Sequence, residues 1–258
     1  MENKDFIYNN FGAKVLIKHT NSFKTYSNEN ADMELFLIYI LFANHSNKEE
    51  IKSTIKEAAY SEGNKISEKF IEAINNKTGD LIFDIKNYEI YFSQMAYSRL
   101  VDNALCYFKD ILSEVVLKKP EILKSSEKEP LDYILSFNSM ESLLIDLSEK
   151  KIKQLFYGKF SDIKKFFLDK LGIELFKNPI EEKNFNQFIK QRNLIVHNRG
   201  IVNQEFLDEF KNTHLKLGNG LYFKFETLSM LNKEITNLIV DIDIKVREKF
   251  KLETIDIS

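Results

Sequence analysis

Scarcity of glycine and proline sets the first limit on what this chain can become. Its 258 residues include only 8 Gly and 3 Pro. Tight turns draw on these two residues far more than helices do, so a many-stranded sandwich or barrel is disfavoured and a mostly α-helical chain is expected. The apolar spacing agrees. From about residue 84 to 118, Phe92, Met95, Ala96, Leu100, Ala104, Tyr107, Phe108, Ile111, Leu112 and Val115 recur at the helical period. Pro120 ends that run. A second long helix is expected over 224–250, with Leu228, Leu231, Ile235, Leu238, Ile242, Val246 and Phe250 forming a near-heptad stripe. It suits either a core helix or half of a dimer contact.

Shorter helices fill the remainder. One is expected over 32–44 (Leu35, Phe36, Ile38, Tyr39, Phe42), entered after Asn30 and Asp32 as caps. Two more are expected over 47–60 and 64–76, bounded by breaks at 61–64 and 76–80. Others fall at 131–136 after Pro130, after a cap at Asn138 or Ser139, over the basic stretch 151–170, and over 181–198. Residues 1–30 are polar, with a short apolar run at Val15–Ile17, and receive no assignment. Leu215–Phe223 contains Gly218-Asn219-Gly220 between short alternating runs, which predicts one small β-hairpin near 215–223. Length allows one large domain or a domain with an extension.

Charge and cysteine content remove several classes. Lys and Arg number 37 against 39 Asp and Glu, a net charge of −2, so the chain lacks the overall basic signature of a nucleic-acid binder. Any RNA site must be a local patch. Cys106 is the only cysteine, which excludes an intrachain disulfide, a CxxC pair and a cysteine-rich zinc site. Its place beside the apolar stripe predicts a buried, inert thiol. The first residues lack the basic-then-apolar layout of a signal peptide, and Met33–Ala43 is about half the ~20 apolar residues of a membrane span. A cytoplasmic protein with no membrane partner is expected.

Common catalytic signatures are missing. The sequence contains no GxxxxGK[ST], GxGxxG, HExxH or GxSxG. His19, His45, His197 and His214 do not form a metal-ligand spacing. His45 and Glu49 read as a surface pair. Asp241 and Asp243 fall on different sides of a helix and make a poor metal pair. No metal and no cofactor are expected.

One segment stands apart. In Phe185–Gly200 the apolar face runs Phe185, Phe188, Ile189, Ile195 and Val196, and position 192 in that seam holds an arginine. A cation there is costly unless an anion or a carboxylate meets it. Asn193 and His197 are four apart and share a strip. Arg192 and His197 lie roughly 140° apart around the helix, within reach of a long guanidinium. Asn198 and Gly200 are expected to end the helix. Arginine binds phosphate in a planar, bidentate way, and histidine both takes and gives protons near neutral pH. The set therefore suits metal-free RNA cleavage. It also suits an arginine paired with a core carboxylate and a satisfied structural histidine, the reading that spacing alone favours.

Arg192-Asn193-Leu194-Ile195-Val196-His197 resembles the R-x4-6-H motif of the HEPN superfamily. The resemblance extends over roughly residues 90–258, where the long helix, the motif helix, the turn segment and the last helix follow the order of larger bacterial defence and toxin HEPN proteins. It implies a HEPN-like helical bundle at 91–258 with an N-terminal helical extension at 1–90, or one continuous domain. It also implies a homodimer that brings two motifs together. The implied activity is metal-independent endoribonuclease action of a toxin or abortive-infection type, with His197 as acid/base, Arg192 on phosphate and Asn193 orienting the site. An antitoxin or a defence-system protein is an implied partner. The alternative is a non-catalytic HEPN-like module that binds RNA, a nucleotide or a protein.

A local basic patch bears on RNA. Between residues 149 and 170 stand seven lysines, Lys150, Lys151, Lys153, Lys159, Lys164, Lys165 and Lys170, against Glu149, Asp162 and Asp169. Phe156, Tyr157 and Phe160 are interleaved. This reads as a phosphate-tracking surface with stacking aromatics, or as a solvated lysine face over a buried aromatic one. The first six of these lysines, with Arg199 beside the motif, are the candidate RNA contacts.

Overall fold

A single long helix organises the molecule. In the computed structural model, which describes residues 6–8, 14–45, 85–124, 128–211 and 214–256, helix α2 runs unbroken from Ile85 to Lys118. Among the described residues, four other helices make its main contacts: α1 (Asn21–His45), α4 (Met140–Tyr157), α6 (Pro179–Asn198) and α8 (Phe225–Phe250). The expected stripe explains why. Ala96, Leu100, Ala104, Tyr107, Phe108, Ile111, Leu112 and Val115 are all buried. Phe92 is half-buried, and Met95 is 60% exposed. All seven stripe residues of α8 are buried too, which makes it a core helix in this chain.

Aromatic packing joins the elements. Phe108 meets Phe160, Phe167 and Phe185 edge-on, with centroids 5.8, 5.9 and 5.9 Å away. Edge-to-face pairs of this kind are favoured by the ring quadrupoles. They pin the chain that follows α4 and the first half of α6 to α2. Truncating Phe108 to Ala would cost about 3–5 kcal/mol.

Several expected boundaries move. Helix α1 begins at Asn21 rather than near residue 32, because the Thr20 hydroxyl accepts the Phe23 N–H at 3.1 Å and caps it. Buried Phe23 and Tyr26 then extend its apolar face. A five-residue helix, α3 (Leu131–Leu135), follows Pro130. Ser139 caps α4 by accepting from Ser142 N–H at 3.1 Å. The single basic helix expected over 151–170 is two. Helix α4 stops at Gly158, and α5 (Phe160–Phe166) starts where the Asp162 carboxylate accepts the Lys159 N–H at 3.0 Å. A π-helical turn over Phe167–Leu171 closes it.

The expected hairpin at 215–223 is a correction. The segment turns at Gly218 but pairs with the chain that leaves α6: Val202 N–H donates to Asn219 O, Gly218 N–H to Val202 O and Leu221 N–H to Gly200 O. A lone bridge joins Ile201 and Gly220. The short helix α7 (Gln204–Glu209) lies between the two partners.

Residues left unassigned in the sequence supply short strands. β1 (Phe6–Tyr8) pairs antiparallel with β2 (Lys14–Leu16), and β3 (Lys18–His19) pairs with β4 (Ile255–Asp256). The helices expected over 47–60 and 64–76, and Glu49, lie outside the described residues. Among the described residues, no helix is long and apolar enough to cross a membrane.

Candidate functional site

Helix α6 is firmly ended at both termini. Asn178 Oδ1 accepts the Ile180 and Glu181 N–H groups at 3.0 Å each, and Pro179 occupies the first turn. At the other end Arg199 itself takes the left-handed conformation (φ 55), followed by Gly200 (φ 71), where the sequence pointed to Asn198 and Gly200 alone. The Gly200 N–H returns to Leu194 O at 2.9 Å. Gly200 is doubly constrained, because a Cβ there would collide with the Gln94 amide of α2. That close approach aligns the two helices. Arg192 meets Asp102, and Gly200 meets Gln94, so α6 and α2 run antiparallel.

Arg192 and His197 point to different neighbours. Arg192 Nε donates to Asp102 Oδ1 at 2.8 Å, and its Nη1 donates to Asn193 Oδ1 at 3.2 Å. The arginine and the aspartate are 24% and 33% exposed, so the pair is half-buried. His197 is exposed and lines a groove of about 200 Å³ between α6 and α7 with Asn193, Asn198, Asn203 and Phe206. Asn193 belongs to both places: it accepts from Arg192 and borders the histidine's groove. The imidazole and guanidinium are not brought together within one chain, because Asp102 draws the arginine toward α2. Arg199 is exposed at the cap.

Asp102 and Lys190 are the site residues that sequence reasoning missed. Asp102 lies away from the stripe of α2, ninety positions before its partner, and nothing local marks it. Lys190 precedes Asn193 and His197 by three and seven positions, a helical strip that was legible.

The lysine-rich surface is distant from this groove and partly neutralised. Lys150 pairs with Glu129 at 2.9 Å and lies over the Tyr133 ring at 5.0 Å. Lys153 lies over Tyr157 at 6.0 Å. Lys164 pairs with Glu182 at 2.6 Å. Glu182 is in the first turn of α6, about 22 Å along the helix from His197. Lys159 and Lys165 are exposed, Lys151 half-buried.

Other candidates resolve structurally. Asp241 bonds Lys14 at 2.6 Å and also Lys177, while Asp243 is fully buried. The Asp243 carboxylate accepts the Thr20 N–H at 3.3 Å, the Thr20 hydroxyl, and the Tyr107 hydroxyl at 3.1 Å. Burial pushes its pKa up, against the lowering effect of the Thr20 and Tyr107 bonds and the Arg247 charge. Cys106 is exposed, not buried as expected, because it sits at the edge of the stripe. Desolvation and the Asp110 and Asp102 carboxylates still push its thiol up, away from the reactive thiolate. Among the described residues no three His, Cys, Asp or Glu side chains converge to hold a metal ion. No family model matches the chain, and no curated protein or solved structure matches it.

Proposed function

We propose that the protein is a metal-independent endoribonuclease in which His197 moves the proton of a ribose 2′-hydroxyl and Arg192 neutralises the phosphorane. The carrying observation is that His197 is exposed in a groove, hydrogen-bonded to none of the described residues, and adjoins Asn193, which holds the arginine. A structural histidine is ordinarily buried and partnered. An imidazole left open to solvent beside an amide is equipped for acid–base work.

A homodimer completes this reading. One chain turns its arginine toward α2 and its histidine toward α7, so cleavage needs groups from a second copy across a two-fold axis. Val196, one turn beyond Arg192, is 50% exposed, and Met95 and Tyr91 on the antiparallel stretch of α2 are 60% and 66% exposed. This apolar flank beside the Arg192–Asp102 pair supports self-association. Growth arrest or phage defence is the corresponding biological role.

The test is to incubate purified wild type and His197→Ala with cellular RNA, with and without EDTA. Cleavage by wild type alone, unchanged by EDTA, is expected. Mixing Arg192→Ala with His197→Ala should restore partial activity through heterodimers. The Arg192–Asp102 ion pair favours a second reading, a non-catalytic helical module that binds RNA, a nucleotide or a partner protein, and absence of cleavage by either protein would select it.

A further inference from the structure

We infer that Lys190 is a second phosphate ligand of the His197 groove, held out of use by two carboxylates of α7. This rests on the RNA-cleaving reading above and adds a gate to it. Lys190, Asn193 and His197 occupy one strip of α6, at positions i, i+3 and i+7. All three line the groove. Lys190 Nζ lies 2.9 Å from Glu209 Oε2 and 3.4 Å from Glu205 Oε1. One cation therefore faces two anions, and the mouth of the groove repels a phosphodiester.

The device is built to be broken by an anion. Helix α7 is anchored: Phe206 and Phe210 are buried with rings 4.9 Å apart, and Asn203 caps it by accepting the Phe206 N–H at 3.0 Å. Its two glutamates face outward instead, 79% and 43% exposed, opposite a lysine 38% exposed. Exposed pairs hold weakly, so the carboxylates swing away while the helix stays. A phosphodiester oxygen replaces them on Lys190 without refolding. Along α6 the backbone positions of Lys190 and His197 are about 10 Å apart, and Lys190 Nζ is turned to the carboxylates of α7. Lys190 therefore takes a phosphate neighbouring the scissile one, which makes the gate responsive to a strand and indifferent to a single phosphodiester or to free phosphate.

The experiment measures binding of a 2′-O-methyl RNA octamer, a 2′-O-methyl dinucleotide and inorganic phosphate, beside cleavage of ordinary RNA. The doubly substituted Glu205→Gln, Glu209→Gln protein should bind the octamer about three- to tenfold more tightly than wild type. Lys190→Gln should bind it several-fold more weakly. Neither change should alter dinucleotide or phosphate binding. Octamer affinity unmoved by either change, with His197-dependent cleavage intact in wild type, would overturn the gate alone. Equal effects on all three ligands would overturn the neighbouring-phosphate assignment. Absence of both octamer binding and His197-dependent cleavage would remove the gate together with the ribonuclease reading.

Discussion

Two polar clusters in this molecule have opposite fates. Around Asp243 the groups are buried and mutually satisfied: the carboxylate receives the Thr20 backbone and hydroxyl and the Tyr107 hydroxyl, and Arg247 donates to Lys18 O. This cluster ties the start of α1 to α2 and α8. Along Arg192, Asn193 and His197 the chain satisfies the groups only in part, and the imidazole remains open. A buried polar group without a partner is expensive, so a complete network belongs to folding. A polar group kept accessible on a well-anchored helix is available to a ligand.

The sharpest way to break this contrast is His197→Ala. RNA cleavage should fall by roughly 10²–10⁴, while the melting temperature stays near wild type because the ring is exposed. An unfolded variant would move His197 into the structural class. Arg192→Ala comes next. Loss of a charge that stabilises the transition state should cost roughly 10²–10³ in kcat, but stability should change by about 1 kcal/mol or less, since the Asp102 pair is half-open. A melt and single-turnover kinetics separate the two effects.

Asp243→Ala should show the reverse pattern. Removing the hub leaves the buried Thr20 and Tyr107 donors without their acceptor, and about 3 kcal/mol of stability should be lost, lowering Tm by roughly 6–12 °C. Residual folded protein should keep its cleavage rate per molecule.

A smaller effect is expected from pH. The Asp243 pKa is raised in the folded state above the unfolded value of about 3.9. The native protein then binds the proton more tightly, so this contribution is full below about pH 4 and fades as pH rises through the raised native value. Asp243→Asn should flatten that decline in urea titrations across the acid range. Glu34, Glu234 and Asp110, raised in the same direction by desolvation, should retain part of the slope. The smallest change belongs to the α4–α5 surface. Lys153→Glu or Lys165→Glu should weaken RNA binding only a few-fold and reduce the salt slope by about one contact. A hundredfold loss would show that this surface, not the α6–α7 groove, dominates.

Periodicity carried most of the helical reading because burial of one face is a repeating local demand. That is why the stripes of α2 and α8 coincide with the core. It failed at stripe edges, where Met95 and Cys106 are exposed, since the width of a buried face depends on the helices laid against it. The Gly218 turn was legible from its residue types. Its partner was not, because backbone pairing between Gly200–Val202 and Asn219–Leu221 is set by where α6 ends.

What the amino-acid order determined by itself is local. It set the helical class, the apolar stripes, the strip that carries Lys190, Asn193 and His197, and an arginine in an apolar seam that had to find an anion. What the tertiary structure decided is which anion that is and which way each side chain turns. Asp102 comes within 2.8 Å of Arg192 only because α2 and α6 pack antiparallel, with Gly200 against Gln94. The histidine faces a groove only because α7 folds back across α6. Such meetings depend on relative placement of whole helices, through packing and ion pairing that act over distance in space, and the spacing of residues along one segment cannot encode them.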